Sequence, residues 1–245
     1  MLEIFYKEKH FYVEDDPARP DKKPSGVEKA VVDEIVAADH EWDFAVDAFA
    51  GIGVSSYIFS EHARRVLALE KKESKFNILW QNVQEIDNIW VEHTDNRKFF
   101  EKALREGMEP PELIDLDAFG NVNAQLPLAL EWMKYGAILV TTGEILGIYR
   151  KSPFGRKNHP EIEGRYIGKE AVMWAEEEFI PNVVRQYPQL HPVHFYTEPS
   201  SVRVVFEVGD FKFTRETKEK LAQKERPKYL DWFKDAIKLF KGRES

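Results

Sequence analysis

Cysteine is absent from the 245-residue chain, and only four methionines occur. Without a thiol, the chain can form neither an internal disulfide nor a thiolate metal site. The seven histidines are scattered without ligand spacing, and the nearest pair, His191 and His194, flanks a proline. We therefore expect no bound metal. Charged residues make up 32% of the chain, and this content, with little cysteine or methionine, is compatible with a thermophilic source.

Long apolar runs are missing as well. The sequence has no stretch of about eighteen apolar residues and no basic-then-apolar amino terminus, so we expect a cytoplasmic protein with no membrane partner. The net charge of −8 argues against a protein that coats nucleic acid, because such a protein carries a positive charge. Residues 210–245 nevertheless carry eleven Lys/Arg against seven Asp/Glu, which is compatible with a local nucleic-acid surface.

Short apolar strands alternate with helical patterns through the first 141 residues. The expected strands lie near 44–49, 66–69, 88–91, 113–116 and 137–141. This alternation predicts a parallel sheet with helices on both faces. Two later strands, 194–197 and 202–208, are separated by four residues and predict an antiparallel hairpin.

The segment Asp47-Ala48-Phe49-Ala50-Gly51-Ile52-Gly53 leads from the first of these strands into a helix. The next strand ends on Glu70. Glycines let the backbone approach a ligand closely, and an acid after the second strand can hold ribose hydroxyls. The pattern predicts a nucleotide pocket at the carboxyl ends of parallel strands. In the alternative interpretation, the two glycines only form a tight turn in another α/β enzyme.

An acid that opens a two-glycine turn resembles motif I of the class I S-adenosylmethionine-dependent methyltransferases. The resemblance implies a Rossmann-like, mostly parallel seven-stranded sheet that ends in an antiparallel hairpin. It also implies that S-adenosyl-L-methionine is the cofactor and that Glu70 binds its ribose. The turn residues implied to contact the cofactor are Asp47, Ala48, Phe49, Gly51 and Gly53.

A second motif follows the fourth strand. Asp117-Ala118-Phe119-Gly120 resembles the Asp-Pro-Phe-Gly of the tRNA guanine-N2 dimethyltransferases, and the similarity extends over roughly residues 44–150. It implies that Asp117 accepts a hydrogen bond from the target amine, that Phe119 stacks on the flipped base, and that Asp115 is a supporting acid. Ala118 departs from the family's proline. In the alternative interpretation, the two acids only bound a turn at the strand end.

Two further cofactor contacts are expected from their positions in that family. Asp95 follows the third strand, where class I enzymes often place an acid against the adenine amine, and Ser25 precedes a helix that leads into the first strand. Both residues are equally suited to be helix N-caps.

A basic loop follows the fifth strand. Arg150, Lys151, Arg156 and Lys157 lie among aromatic and glycine residues, a composition that suits phosphate contact and single-strand stacking. In the alternative interpretation, this loop is solvated and its charges offset the acidic body.

These observations predict a methyltransferase domain over residues 1–209, with a strand-and-helix segment at 1–43 and the basic loop inserted at 148–166. A basic amphipathic helical tail, 210–245, is expected to pack on it. The predicted function is N-methylation of an exocyclic amine of a nucleic-acid base, tRNA guanine-N2 first. DNA adenine-N6 or cytosine-N4 is the alternative acceptor. A small-molecule or protein methyltransferase, and a non-catalytic nucleic-acid-binding module, are the further alternatives.

Overall fold

The computed structural model describes residues 2–6, 9–13, 27–118, 120–143, 174–198 and 201–223. Within these ranges, none of the helices is both long enough and apolar enough to cross a membrane.

The described strands are β1 (Leu2–Tyr6), β2 (Lys9–Val13), β3 (Ala45–Asp47), β4 (Val66–Glu70), β5 (Ile89–His93), β6 (Leu113–Asp117), β7 (Gly136–Thr142), β8 (Leu190–Glu198) and β9 (Ser201–Val208). The bounds of β3 to β7 and of β9 lie close to those predicted, whereas β8 begins four residues earlier than predicted.

The helices within the described ranges cover both faces of the sheet, and those between β3 and β7 connect the parallel strands. The helices are α1 (Val27–Ala37), α2 (Val54–Ser60), α3 (Glu73–Val83), α4 (Asn96–Glu106), α5 (Leu126–Trp132), α6 (Ile180–Gln186) and α7 (Arg215–Gln223). A π-helical turn, Ala175–Phe179, leads directly into α6.

The central sheet has seven strands in the order β5-β4-β3-β6-β7-β9-β8. The strands from β5 to β7 in that order are parallel, whereas β9 is antiparallel to both β7 and β8. The prediction of a mostly parallel seven-stranded sheet that ends in an antiparallel hairpin is therefore confirmed. The strand order reverses direction between β3 and β6, and ligands of open α/β sheets bind at the carboxyl ends of strands beside such a switch point.

Two hydrophobic cores lie on opposite faces of this sheet. The first is packed with residues of α4, α5 and the π-helical turn, among them Phe100, Trp132 and Phe179. The second contains residues of α1, α2, α3 and α7. The helices that follow β3 and β4 therefore share one face with α1, the face on which the polar side chains described below converge.

Both ends of the described chain are attached to the second core. The Asn82 side chain receives a hydrogen bond from the Tyr12 amide at 2.8 Å and donates to the carbonyl oxygens of Tyr12 and Ile52, so the β1–β2 hairpin is joined to the glycine turn. At the other end, Phe213 and Leu221 are buried in that core. Residues 224–245 lie outside the described residues.

Candidate active site

Three of the predicted acids, Asp47, Asp115 and Asp117, lie at the carboxyl ends of two neighbouring strands. Asp47 ends β3 opposite Asp115 in the register, and Asp117 ends β6. Side chains alternate between the two faces of a strand, so these acids share a face with Ala45 and Leu113. Those two residues belong to the core that α1 helps to form. The three acids therefore face α1.

Helix α1 brings a cation and a further acid to the same place. Lys29 and Asp33 are four residues apart, which puts both on one side of the helix. The Lys29 ammonium lies 2.6 Å from Oδ2 of Asp117 and 3.4 Å from Oδ2 of Asp115. The side chain of Asp117 is 30% exposed and that of Lys29 19%, whereas Asp115 is fully buried. The pair formed by Lys29 and Asp117 is therefore the open end of the cluster.

Lys29 is the strongest of the groups that keep Asp117 ionised. Burial alone raises the pKa of this carboxyl, but the charges of Lys29 and Arg203 and a hydrogen bond from Thr141 lower it to about 2. Burial lowers the pKa of Lys29, and the nearby acids more than reverse that effect, so its pKa is raised. At neutral pH the site therefore presents an ionised carboxylate beside an ammonium group.

The closed end of the cluster is held by Arg203, which lies on β9. Its guanidinium donates to Asp115 Oδ1 at 2.9 Å and to Thr141 Oγ1 at 2.6 Å, and it is also ion-paired with Asp33. The second oxygen of Asp33 accepts a hydrogen bond from the Ser55 hydroxyl at 2.8 Å. Arg203 and both acids are buried, so neutralisation of these acids comes from within the protein.

Asp47 differs from the other acids because it has no paired cation at hydrogen-bond distance among the described residues. One oxygen accepts from the Ser56 hydroxyl at 2.7 Å, and the other, Oδ1, is buried without a hydrogen-bond partner in the described part of the chain. Burial, aided by the charge of Asp115, raises the pKa of Asp47 to about 7. A buried acceptor of this kind at the start of the glycine turn is suited to a cationic ligand.

The two glycines of the turn have different roles. Gly51 has φ +57°, and among the described residues a Cβ added there would meet only the Phe49 carbonyl oxygen, at an ordinary 3.8 Å. Gly53 has φ +94°, and its added Cβ would lie 2.8 Å from Leu79 and 3.0 Å from Val83, both on α3. Gly53 is therefore required by the packing of the turn on α3, whereas the backbone at Gly51 leaves space above it.

Glu70, at the end of β4, lies against this turn. Its carboxylate accepts the amide of Gly51 at 3.0 Å and the amide of Lys72 at 2.7 Å. The side chain is only partly buried, and each carboxylate oxygen has a further lone pair. This position, above a turn with open space, fits an acceptor for ribose hydroxyls.

Asp95 is the N-cap of α4. Its Oδ1 accepts the amides of Arg97 at 3.1 Å and Lys98 at 3.4 Å, and its Oδ2 accepts from Lys71 at 2.8 Å. The hydrogen bond from Lys71 and the backbone amides together lower the pKa of Asp95. The capping role is thus established, and the contact with adenine stays a prediction.

The residues that the sequence did not reveal are those that organise these acids. The neighbour of Asp95, Asn96, is buried and donates to the Ala48 carbonyl oxygen at 2.8 Å, which fixes the glycine turn to α4. Lys29, Asp33 and Arg203 were likewise not predicted. Each of these three is a charged residue at a core-facing position of an otherwise apolar pattern. That mismatch is the feature of the sequence from which they could have been predicted.

Several predicted site residues lie outside the described residues. They are Ser25, Phe119, Arg150, Lys151, Arg156 and Lys157.

One group of possible metal ligands lies away from these acids. Ligand atoms of Glu34, Glu61 and His62 all lie within 4.8 Å of one another. The His62 ring contacts Glu34 at 3.2 Å, and Tyr57 donates to Glu61. These contacts account for the group without an ion, and the expectation of no metal stays a prediction.

No family model matches the sequence, and no curated protein matches it either. The fold is nevertheless found in solved structures. Trm1 from Pyrococcus horikoshii, solved with S-adenosyl-L-methionine, superposes with a TM-score of 0.65 at 15% identity, over 91% of this chain and 65% of Trm1. The chain therefore spans slightly less than two thirds of that protein.

Two other solved structures with this fold are named for different methyl acceptors. The tRNA m1G37 methyltransferase of M. jannaschii gives a TM-score of 0.54 at 12% identity, over 85% of this chain and 57% of that protein. A putative O-methyltransferase from Klebsiella pneumoniae gives 0.55 at 15% identity, over 78% and 83%. This chain has the class I methyltransferase fold. Because one fold serves such different acceptors, the acceptor must be argued from the site.

Proposed function

We propose that this protein is an S-adenosylmethionine-dependent methyltransferase that methylates an exocyclic amine of a nucleobase, with guanine N2 of tRNA as the acceptor. The observation that carries the proposal is Asp117. This partly exposed carboxylate lies at the end of β6, one strand from the glycine turn, and Lys29 keeps it ionised.

The residues around the glycine turn fit the cofactor. Glu70 offers carboxylate lone pairs to a ribose diol, and the backbone at Gly51 leaves room for a ligand. The unpartnered Oδ1 of Asp47 suits the positive charge of the methionine part. When bound, this cofactor supplies an electrophilic methyl group. Its presence in the P. horikoshii Trm1 structure supports the choice.

Asp117 would act on the amine. An amine attached to an aromatic ring is a weak nucleophile because its lone pair is delocalised into the ring. An Asp117 oxygen that accepts a hydrogen bond from one N–H group of the amine favours the reactive geometry. It also stabilises the positive charge that develops on the nitrogen. The proton that the methylated nitrogen sheds passes to Asp117 and then to water.

The ionised state of Asp117 favours guanine. A carboxylate has two oxygens that only accept, and guanine presents two adjacent donors, N1–H and the N2 amine. Adenine and cytosine present an amine beside a ring nitrogen that itself carries a lone pair, which repels the second oxygen. A tRNA acceptor is supported by the M. jannaschii neighbour and by the resemblance of residues 117–120 to the guanine-N2 enzymes.

Arg150, Lys151, Arg156 and Lys157 would contact the phosphates. They follow Thr142, where β7 ends at the same edge of the sheet as Asp117. If they bind the backbone, affinity for tRNA falls steeply as salt is raised, and their replacement by glutamine reduces that slope.

Transfer of labelled methyl groups into unmodified tRNA and into unmethylated duplex DNA tests the proposal. We expect label in tRNA, recovered as N2-methylguanosine after digestion. Asp117→Asn is expected to lower turnover about 100-fold or more, with unchanged affinity for the cofactor. Asp87→Asn is the matched control, because Asp87 is an exposed acid between α3 and β5.

The outcomes separate the alternatives. Full turnover by the Asp117 variant with normal cofactor binding would contradict the catalytic assignment. Label in DNA alone would move the acceptor to adenine or cytosine. Cofactor binding without transfer to either nucleic acid would favour a small-molecule or protein acceptor, or a module without catalysis.

A further inference from the structure

Lys29 is the only charged side chain of α1 that touches the open end of the acidic cluster, among the described residues. It lies one helical turn before Asp33, and its ammonium contacts Asp117 at 2.6 Å and Asp115 at 3.4 Å. Its side chain is partly exposed on the same side as Asp117.

We infer that Lys29 is a positioning residue for methyl transfer, which holds Asp117 in place and keeps it an acceptor while the amine binds. The inference rests on the proposed function, since it concerns the acceptor role of Asp117. It adds a residue of this chain, on a separate element, to the machinery of the site.

The division of charges around the site supports this role. The charged groups on the elements packed around the pair are Asp33 on α1, Asp47 on β3, Asp115 on β6 and Arg203 on β9. Arg203 is hydrogen-bonded to Asp115 and ion-paired with Asp33, both fully buried. Lys29 is therefore the cation that directly contacts Asp117 among the described residues.

Loss of the Lys29 charge changes what Asp117 can do. Burial favours the protonated carboxyl of Asp117, and the charge of Lys29 opposes it most strongly, with smaller effects from Arg203 and Thr141. A protonated carboxyl donates where the amine also donates, and it cannot take up the proton that the nitrogen sheds. Methyl transfer would then fall as the pH falls, in a range where the wild-type enzyme stays active.

The test compares Lys29→Gln and Lys29→Arg with wild type. Lys102→Gln is the control, because Lys102 is an exposed lysine on α4. Thermal melting first shows that each variant is folded. The first readout is the titration of the Asp117 carboxyl carbon by NMR, assigned by its loss in Asp117→Asn. The second is the rate of methyl transfer to tRNA between about pH 4 and pH 9, divided by the wild-type rate at each pH so that shared titrations cancel.

We expect the carboxyl of Asp117 to titrate at higher pH in Lys29→Gln, with a matching fall in relative rate. The relative rate at about pH 4 should be roughly half of its value at pH 8. Burial then opposes Arg203 and Thr141, and an aspartate near its ordinary pKa is about half protonated at that pH. Lys29→Arg should restore a flat profile because the guanidinium keeps the charge, and Lys102→Gln should match wild type.

Three results would overturn the inference, and each differs from failure of the proposed function. An unshifted Asp117 titration in Lys29→Gln removes the electrostatic role. A shifted titration with a flat relative rate makes Lys29 purely structural. If Lys29→Gln does not fold, a relative rate of Lys29→Arg that falls at low pH would also overturn the inference. Failure of wild-type protein to methylate tRNA at any pH overturns the proposed function instead, while the NMR titration still reports on the pair.

Discussion

Replacement of Arg203 by methionine is expected to lower the free energy of unfolding by about 3–5 kcal/mol, the usual cost of removing one partner from a buried ion pair. Arg203 is almost fully buried and is paired with Asp33 and Asp115. Methionine fills a similar length. Among the described residues, it leaves Asp33 with no cation in contact and leaves Asp115 with Lys29 alone, 3.4 Å away. For a domain of this size, the loss corresponds to a fall in melting temperature of about 6–20 °C.

Urea denaturation at several pH values measures this effect. In the variant, the pKa of Asp33, which burial already raises above the ordinary aspartate value, rises further because the charge of Arg203 no longer lowers it. Stability is then lost as the pH rises through that pKa, so the deficit relative to wild type should be small near pH 4 and larger near pH 8.

A double variant isolates the charge from the packing. Arg203→Met with Asp33→Asn removes the carboxylate that has lost its ion-pair partner and should recover part of the lost stability. A deficit below about 1 kcal/mol, or one independent of pH, would refute the reasoning, because the buried acids would then not depend on Arg203.

Gly53→Ala is expected to lower the free energy of unfolding by about 1–3 kcal/mol, because φ is +94° and the new Cβ would lie 2.8 Å from Leu79; an unchanged melting temperature would contradict this. Asp47→Asn should gain stability relative to wild type as the pH rises from about 4 to 7. The reason is that wild type loses stability as the raised pKa of Asp47, about 7, is passed, and urea titrations at both pH values check the sign. Glu70→Gln should weaken binding of S-adenosylmethionine about tenfold or more by calorimetry, and an unchanged affinity would exclude Glu70 from the pocket.

Local patterns were sufficient for the fold because each parallel strand carries its own signal. A run such as Val66–Glu70 is apolar on both sides, as a buried strand requires, and the helices between strands follow a 3.6-residue period. The bounds of strand β8 were predicted less accurately. It begins at Leu190, although Pro192 argues against a strand there. The proline is tolerated because β8 is an edge strand and its register shifts between Pro192 and His194.

The site was predicted only where the motif lies within one segment. The acids at strand ends were found in that way, and the structure brings Asp47, Asp115 and Asp117 to one face. The cations that neutralise them come from elsewhere. Lys29 is 88 residues from Asp117, and Arg203 is 170 residues from Asp33. Pairings over such distances depend on tertiary packing, which local sequence patterns do not encode.

Arg203 also has a consequence for the order in which the chain can assemble during synthesis. It lies on β9, which is made after every acid it neutralises, and β9 is inserted between β7 and the earlier β8. A nascent chain that has emerged only as far as β8 holds Asp33 and Asp115 without Arg203 and leaves β7 with one edge open. Closure of the acidic cluster is therefore a late event of high contact order, and the ribosome must release nearly the whole sheet before a competent site exists.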